Sequence, residues 1–404
     1  MGNSGNNSKR TVRTFGLASF LNDMGSDMIY PIWPLFVKSL GADMTWLGFL
    51  DGLGDAIVSV SQAVSGYISD RIRKRKFFIW LGYMFAALSR VGYAVAAVWQ
   101  YLIPFRILDR AGKMRGAPRD AMIADVSTQE NRGRNFGFLR AMDNLGAVCG
   151  IIICLLMVKY FGVGTKIGFQ HLFWIAAIPS VIGVVMILAF VREDRPSETK
   201  VFKGLRYRHL DANFKFFLAL SVFFSLGAFS YSFLLMYAKE AGFATESIIL
   251  LYLAFTAMAS IASFPFGKLA DKIGRKTVLQ IGFLFWILLC VVMVFFRPKN
   301  GDLSVNGAGF WTVVIVFILY GLHKGALDPV QKAFVSEVVP AEYRASGLGF
   351  YQMCVGLCAL PASFMAGRLW DKYNVAVPFA VSLALTVTAV IMMTFVKESM
   401  KKEE

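Results

Sequence analysis

Apolar runs long enough to cross a bilayer recur from one end of the chain to the other, and no other feature limits the fold as much. A helix spans the hydrocarbon core with roughly 20 apolar residues. A backbone in lipid must also satisfy its own hydrogen bonds, which a helix does within itself. Runs of this kind lie near 12–38, 46–69, 77–97, 100–124, 136–160, 170–191, 214–239, 246–269, 277–297, 310–334, 347–368 and 376–396, several of them interrupted by charges. With 56% hydrophobic residues in 404, no stretch is left over for a soluble domain. The expected class is an all-α polytopic membrane protein with twelve transmembrane helices. Residues 1–13 are polar and lead into a segment too long and too polar for a cleaved signal, so the first helix is expected to be retained.

The net charge of +16 would suit a nucleic-acid partner, but its distribution follows the loops instead. RIRKRK (71–76), RGR (132–134), KIGRK (272–276) and VREDRPSETKVFKGLRYRH (191–209) are rich in Lys and Arg, and the loops between them are poorer. Basic residues collect on the cytoplasmic side. This places both termini and a 192–213 linker in the cytoplasm of a cell-membrane protein, with external loops near 40–44, 162–168 and 300–309. No nucleic-acid partner is expected. The five cysteines, Cys149, Cys154, Cys290, Cys354 and Cys358, all lie in apolar segments without CxxC spacing, so neither a disulfide framework nor a metal site is expected. P-loop, GxSxG and HExxH patterns are absent, which argues against an enzyme and against a cofactor.

The chain repeats itself. GYISDRIRKRK (66–76) matches GKLADKIGRKT (267–277), setting Gly66 on Gly267, Asp70 on Asp271 and Ile72 on Ile273. AMIADVSTQENRGRNFGF (121–138) matches AFVSEVVPAEYRASGLGF (333–350) without a gap, setting Asp125 on Glu337, Arg132 on Arg344 and Gly137 on Gly349. Two six-helix halves follow, 1–191 and 214–404. Parallel repeats of this kind are the architecture of alternating-access transporters. The doubled pattern resembles the G-x-L-x-D-R-x-G-R-[RK] signature of the major facilitator superfamily, and the resemblance covers essentially the whole chain. Arg106 resembles the family's helix-4 arginine. LNDMGSDMIYP and DRAGKMRGAPRDA together resemble a prokaryotic branch. Two positions depart from the family: Arg73 replaces a usual glycine, and GAVCGII keeps Gly146 and Gly150 but has Ile151 where exporters carry proline, which weakens a drug-antiporter reading. The resemblance implies two pseudo-symmetric six-helix bundles. It also implies that Asp70, Arg71, Arg75, Asp125, Asp271, Lys272, Arg275 and Glu337 form cytoplasmic gate locks that touch no substrate.

Charge inside the membrane costs roughly 2.5–3.5 kcal/mol per group, so such groups face a cavity or a partner. On helix 4, Arg106, Asp109, Arg110 and Lys113 share one helical face. Asp120 is expected back on that face beyond a bend at Pro118, while Arg115 and Arg119 point away toward headgroups or neighbouring helices. Asp23, Asp27, Tyr30 and Pro34 form a stripe on helix 1, Asp51, Asp55 and Gln62 one on helix 2, and Arg140 with Asp143 or Asn144 one on helix 5. Arg90 adds a cation in helix 3. The second half is quieter, with Ser221, Ser225, Ser232, Thr256, Ser260 and Ser263. Its charge sits on helix 10, in Lys324, Asp328 and Lys332, beside His323. The N-terminal cluster is therefore expected to line a polar cavity. The competing reading is a buried structural network.

The leading expectation is a monomeric secondary active transporter of a small solute, coupled to protons. A carboxylate parted from its arginine in one conformation would take up a proton and lose it when the pair re-forms. Arg106, Arg110 and Arg140 favour an organic anion or zwitterion. A proton-antiporting efflux pump for lipophilic drugs is the alternative. A sensor or scaffold on the same fold is the reading from a different class. Asp27, Asp51 and Asp55, without a cation nearby in sequence, are the expected proton carriers.

Overall fold

Proline and glycine decide where these long apolar helices break. The structure is a computed structural model that describes residues 2–72, 74–128, 131–162, 164–191, 210–296, 307–339 and 344–398. Every regular element among them is helical, and ten helical stretches are long and apolar enough to span a membrane. The first and fourth spans fall outside that set because both are interrupted and charged; with them, the twelve spans of two six-helix bundles are complete.

Span 1 is α1 (Gly2–Asp27) followed by α2 (Trp33–Ser39), rather than one helix. Pro31 has no N–H to donate and restricts Tyr30 before it, so the helix stops at Asp27. Residues 28–32 turn instead, with Ile29 and Tyr30 N–H on the Ser26 carbonyl at 3.0 and 3.1 Å. Spans 2 and 3 are α3 (Met44–Ile72) and α4 (Arg75–Val95). Span 4 is split into α5 (Leu102–Ala111), a 3₁₀ turn (Gly112–Arg115) and α6 (Gly116–Asp125). The break thus precedes Pro118, which sits in the first turn of α6, where a missing N–H costs nothing. Spans 5 and 6 are α7 (Arg132–Phe161) and α8 (Lys166–Phe190).

The second half runs α9 (Ala212–Gly227), α10 (Ser232–Glu240), α11 (Thr245–Ile273), α12 (Arg275–Phe295), α13 (Ala308–Val338), α14 (Arg344–Lys372) and α15 (Ala376–Thr394). Span 7 breaks between α9 and α10, as span 1 does between α1 and α2. Span 10, α13, is continuous despite Pro329 inside it. The expected linker lies outside the described residues except for 210–213, as does most of the loop expected near 300–309.

The chain divides into two units, Met1–Ala42 with Leu53–Val201, and Asp43–Gly52 with Phe202–Glu404. In unit 1, α1 packs on α7 and α8, and α4 packs on α8 and on all three parts of span 4. Gly146 and Gly150 explain the closeness of α7 to α1: a Cβ at either would strike the backbone of Phe20 or Met24. These glycines serve helix packing of the small-residue kind used in membranes. In unit 2, α13 packs on α11 and α12, while α9 packs on α14 and α15. There the Asp371 carboxylate caps the start of α3, accepting from the N–H groups of Met44 (3.2 Å) and Thr45 (2.7 Å).

Candidate functional site

The polar interior of unit 1 has two tiers, set by the two breaks. The upper tier lies between the turn at 28–32 and α5. Arg106 is buried, with its guanidinium 4.2 Å from the centre of the Trp33 ring; Arg110 lies 5.0 Å from that of Tyr30. Such contacts stabilise a desolvated cation by about 0.5–2 kcal/mol. Asp109 is buried next to them, 3.4 Å from Arg110 Nε, and accepts a long hydrogen bond from Ser89 Oγ at 3.5 Å. Arg90, from α4, is 1% exposed and donates to the Asn22 carbonyl (2.8 Å), Ser26 Oγ (2.7 Å) and the Ala176 carbonyl (3.4 Å). It ties the end of α1 to α8. Lys113 is half-buried within the 3₁₀ turn, so only Arg106, Asp109 and Arg110 share a regular α-helical face. This tier holds Arg90, Arg106, Arg110 and Lys113, all near enough to Asp109 to act on it electrostatically.

The lower tier is built from the two arginines expected to turn away. Arg115 and Arg119 are 6% and 7% exposed. They meet neighbouring helices rather than headgroups, because the 3₁₀ turn rotates the rest of span 4 inward. Arg115 lies 3.8 Å from Asp23, 4.8 Å from the Tyr83 ring centre, and donates to the Gly112 carbonyl. Arg119 donates to Asp120 Oδ1 (3.1 Å) and Ser19 Oγ (2.7 Å), and sits 3.6 Å from Asp143 Oδ1. Ser19 also shares a 3.0 Å hydrogen bond with the Tyr83 hydroxyl. Arg140 reaches Asp143 at 3.3 Å and Asp120 at 4.0 Å. Asp120 therefore belongs with Arg119 and Arg140, not on the face of Arg106. Ser19, Asn22, Ser26, Trp33 and Tyr83 were not legible as site residues, since a lone Ser, Asn or aromatic in an apolar run carries no pattern.

The remaining expected positions fall elsewhere. Asp27 is buried at the end of α1, Tyr30 half-buried in the break, and Asp55 exposed. Asp51 is 2% exposed within unit 2, where it accepts from Ser230 Oγ at 2.7 Å in the break of span 7. Lys324, half-buried, pairs at 3.9 Å with the exposed Asp328. His323 is packed away from them, its Nδ1 2.8 Å from the Gly282 carbonyl and its ring 5.1 Å from that of Trp286. No group of three or more His, Cys, Asp or Glu side chains among the described residues could hold a metal.

Of the gate positions, Arg75 pairs with Asp125 in unit 1, and Arg275 pairs with Glu337 and, at 3.5 Å, with Asp271 in unit 2. Arg71 and Lys272 are exposed, and the Asp70 side chain lies outside the described residues. Arg75 and Arg275 both open their helices, and Lys76 and Lys276 both cap the end of a sixth-position helix, on the Leu188 and Thr394 carbonyls. The match of 66–76 with 267–277 is therefore one residue out of register beyond Ile72 and Ile273. The first loop holds one residue more.

The family model described as Major Facilitator Superfamily matches residues 15–238 and 215–404. An uncharacterized MFS-type transporter of Methanocaldococcus jannaschii is 32% identical over 394 residues, covering 96% of this chain and 95% of that one. The quinolone resistance protein NorA of Staphylococcus aureus is 22% identical, covering 95% of each chain. The solved D-xylose-proton symporter superposes with a TM-score of 0.72 at 16% identity, covering 98% of each chain. Twelve spans in two repeats, charges held in the interior of the first and the whole-length family match lead to one conclusion: this chain is an integral membrane transporter, not an enzyme, and belongs to the major facilitator superfamily.

Proposed function

We propose that the protein moves a small organic anion or zwitterion by alternating access, coupled to protons. The observation that carries this is the upper tier: four cations (Arg90, Arg106, Arg110 and Lys113) gathered around one buried carboxylate, Asp109. Buried guanidinium groups next to a solute would pair with a substrate carboxylate. Arginine also suits a planar carboxylate through its paired N–H donors. Asp23, Asp27, Asp51, Asp55, Tyr30, Arg140, Asp143 and Lys324 complete the proposed substrate and proton pathway. The halves 1–191 and 214–404, the 192–213 linker and both termini on the cytoplasmic side are part of the same reading. So are a monomeric state and the Arg75–Asp125 and Arg275–Glu337 pairs as cytoplasmic locks.

A ligand-stabilisation screen on the purified protein tests it. Organic acids or amino-acid-like solutes should raise the unfolding temperature, and Arg106→Ala and Arg110→Ala should remove the gain. Stabilisation by lipophilic cations alone would favour the second reading, drug efflux by proton antiport. That reading draws on the likeness to NorA and is opposed by Ile151, in place of proline, after Gly146 and Gly150. Orientation is tested separately, with cysteines at Ser197 and Ser304 in a variant lacking the native five. Labelling of position 197 by an impermeant reagent outside sealed cells, with none at 304, would reverse it.

A further inference from the structure

We propose that Asp143, on span 5, is the carboxylate that takes up and releases the coupling proton. This rests on the proton-coupled reading above and adds the group that carries it.

A buried acid can shuttle a proton only if its neutral form strands no buried cation, because an ion pair broken from one side leaves an uncompensated charge in a poor solvent. Applied to the acids that are ion-paired within the two tiers, this condition separates them. Asp109 fails it: Arg90, Arg106 and Arg110 crowd around it, and all three are themselves buried. Asp23 fails it too. It is the ion-pair partner of Arg115, whose other contacts, the Gly112 carbonyl and the Tyr83 ring, carry no charge. Asp120 is gripped, its Oδ1 lying 3.1 Å from both Nε and Nη2 of Arg119.

Asp143 meets the condition on both sides. Arg119 would keep Asp120 and Ser19 if Asp143 became neutral. Arg140, its other partner, is 66% exposed and would remain solvated. The Asp143 side chain is 12% exposed, and its Oδ1, 3.6 Å from Arg119, has no hydrogen-bond partner. A proton added there displaces no existing hydrogen bond. The charged groups around Asp143 are Arg119 from α6, Arg115 from the 3₁₀ turn, Asp23 from α1 and Arg140 from its own helix, and Asp120 shares Arg119 and Arg140 with it. With Asp143 they are three cations against three acids, so proton uptake tips a balanced cluster positive. The change also reaches span 1. Gly146, one turn beyond Asp143, is where α7 touches the α1 backbone.

Infrared difference spectroscopy on the full chain in liposomes, titrated with pH, reads the carbonyl stretch of a protonated carboxyl group without any substrate. Wild type should show a slowly exchanging, buried carboxyl that titrates, and Asp143→Asn should lose it. If Asp143→Asn does not fold, Asp143→Glu should shift the band, and an unshifted band overturns the proposal. A band that survives Asp143→Asn and vanishes in Asp27→Asn, Asp51→Asn or Asp55→Asn also overturns it, while leaving proton coupling intact. If wild type shows no titrating buried carboxyl at all, proton coupling itself fails with it.

Discussion

In the second half, Gly321 and Gly325 bring span 10 hard against span 8. A Cβ at Gly321 would meet Met258 Cβ and the Phe255 carbonyl, both at 2.7 Å, and one at Gly325 would meet Ala262 Cβ at 2.7 Å. In the register of the AMIAD/AFVSE repeat, carried back along the helix, Gly321 falls opposite Asp109 and Gly325 opposite Lys113. Span 4 thus carries charge where span 10 carries glycine. It approaches Gly54 of span 2 through the Arg106 and Arg110 side chains, at 3.1 Å from a Cβ placed there. One repeat has become a tight helix–helix contact and the other a space filled with guanidinium groups. Span 10 runs unbroken, whereas span 4 is interrupted by a 3₁₀ turn, a feature often found at hinges.

The largest effect should come from removing the acid that the upper tier depends on. Asp109→Leu leaves Arg106, Arg110 and Arg90 buried around an apolar side chain and should cost about 3–5 kcal/mol, read as a fall in thermal unfolding temperature in lipid nanodiscs. A loss well under about 1 kcal/mol would mean that the arginines do not rely on Asp109. The packed side should respond next. Gly321→Ala forces spans 8 and 10 apart and should cost about 1–3 kcal/mol by overpacking. The matched change Gly54→Ala, which meets movable arginine side chains, should cost less. Equal losses at the two positions would erase the contrast between the halves.

Trp33→Leu removes the ring from the face of Arg106 and should cost about 0.5–2 kcal/mol. If stability is unchanged but organic-acid stabilisation is lost, Trp33 contributes to binding rather than to holding the arginine. Smallest are the locks. Arg75→Gln and Arg275→Gln break pairs whose acids are half-exposed, so each should cost about 0.2–1 kcal/mol and lose its effect at high salt. A loss of several kcal/mol at either would make that pair part of the core instead of a reversible lock.

How far the site could be read in advance depended on whether its partners lay near one another in sequence. Arg106, Asp109 and Arg110 were legible because α5 keeps helical spacing over those few residues. The break that divides the expected stripe on span 1 was not, although its cause stood in the sequence: DMIYPIWP places Pro31 and Pro34 where a helix must either kink or stop. Helical spacing turns Arg115 and Arg119 away from the face of Arg106, toward headgroups or neighbouring helices, and sets the bend of span 4 at Pro118. The 3₁₀ turn at Gly112–Arg115 changes the angle per residue and carries both inward. Asp51 was grouped with the acids of the first half because it lies on span 2, yet it accepts a hydrogen bond from Ser230, 179 residues later.

By itself, then, the sequence determined the number of spans, their repetition and the presence of charge in the first half. These depend on the length of apolar runs and on a repeated pattern, both one-dimensional properties that a bilayer reads directly. Only the tertiary structure decided which charges meet. Arg75 finds Asp125 across 50 residues and Arg119 finds Ser19 across 100, and an ion pair forms or fails within an ångström or two. That margin is set by helix breaks and helix rotation, which depend on the packing of neighbouring helices and not on the order of residues along any one of them.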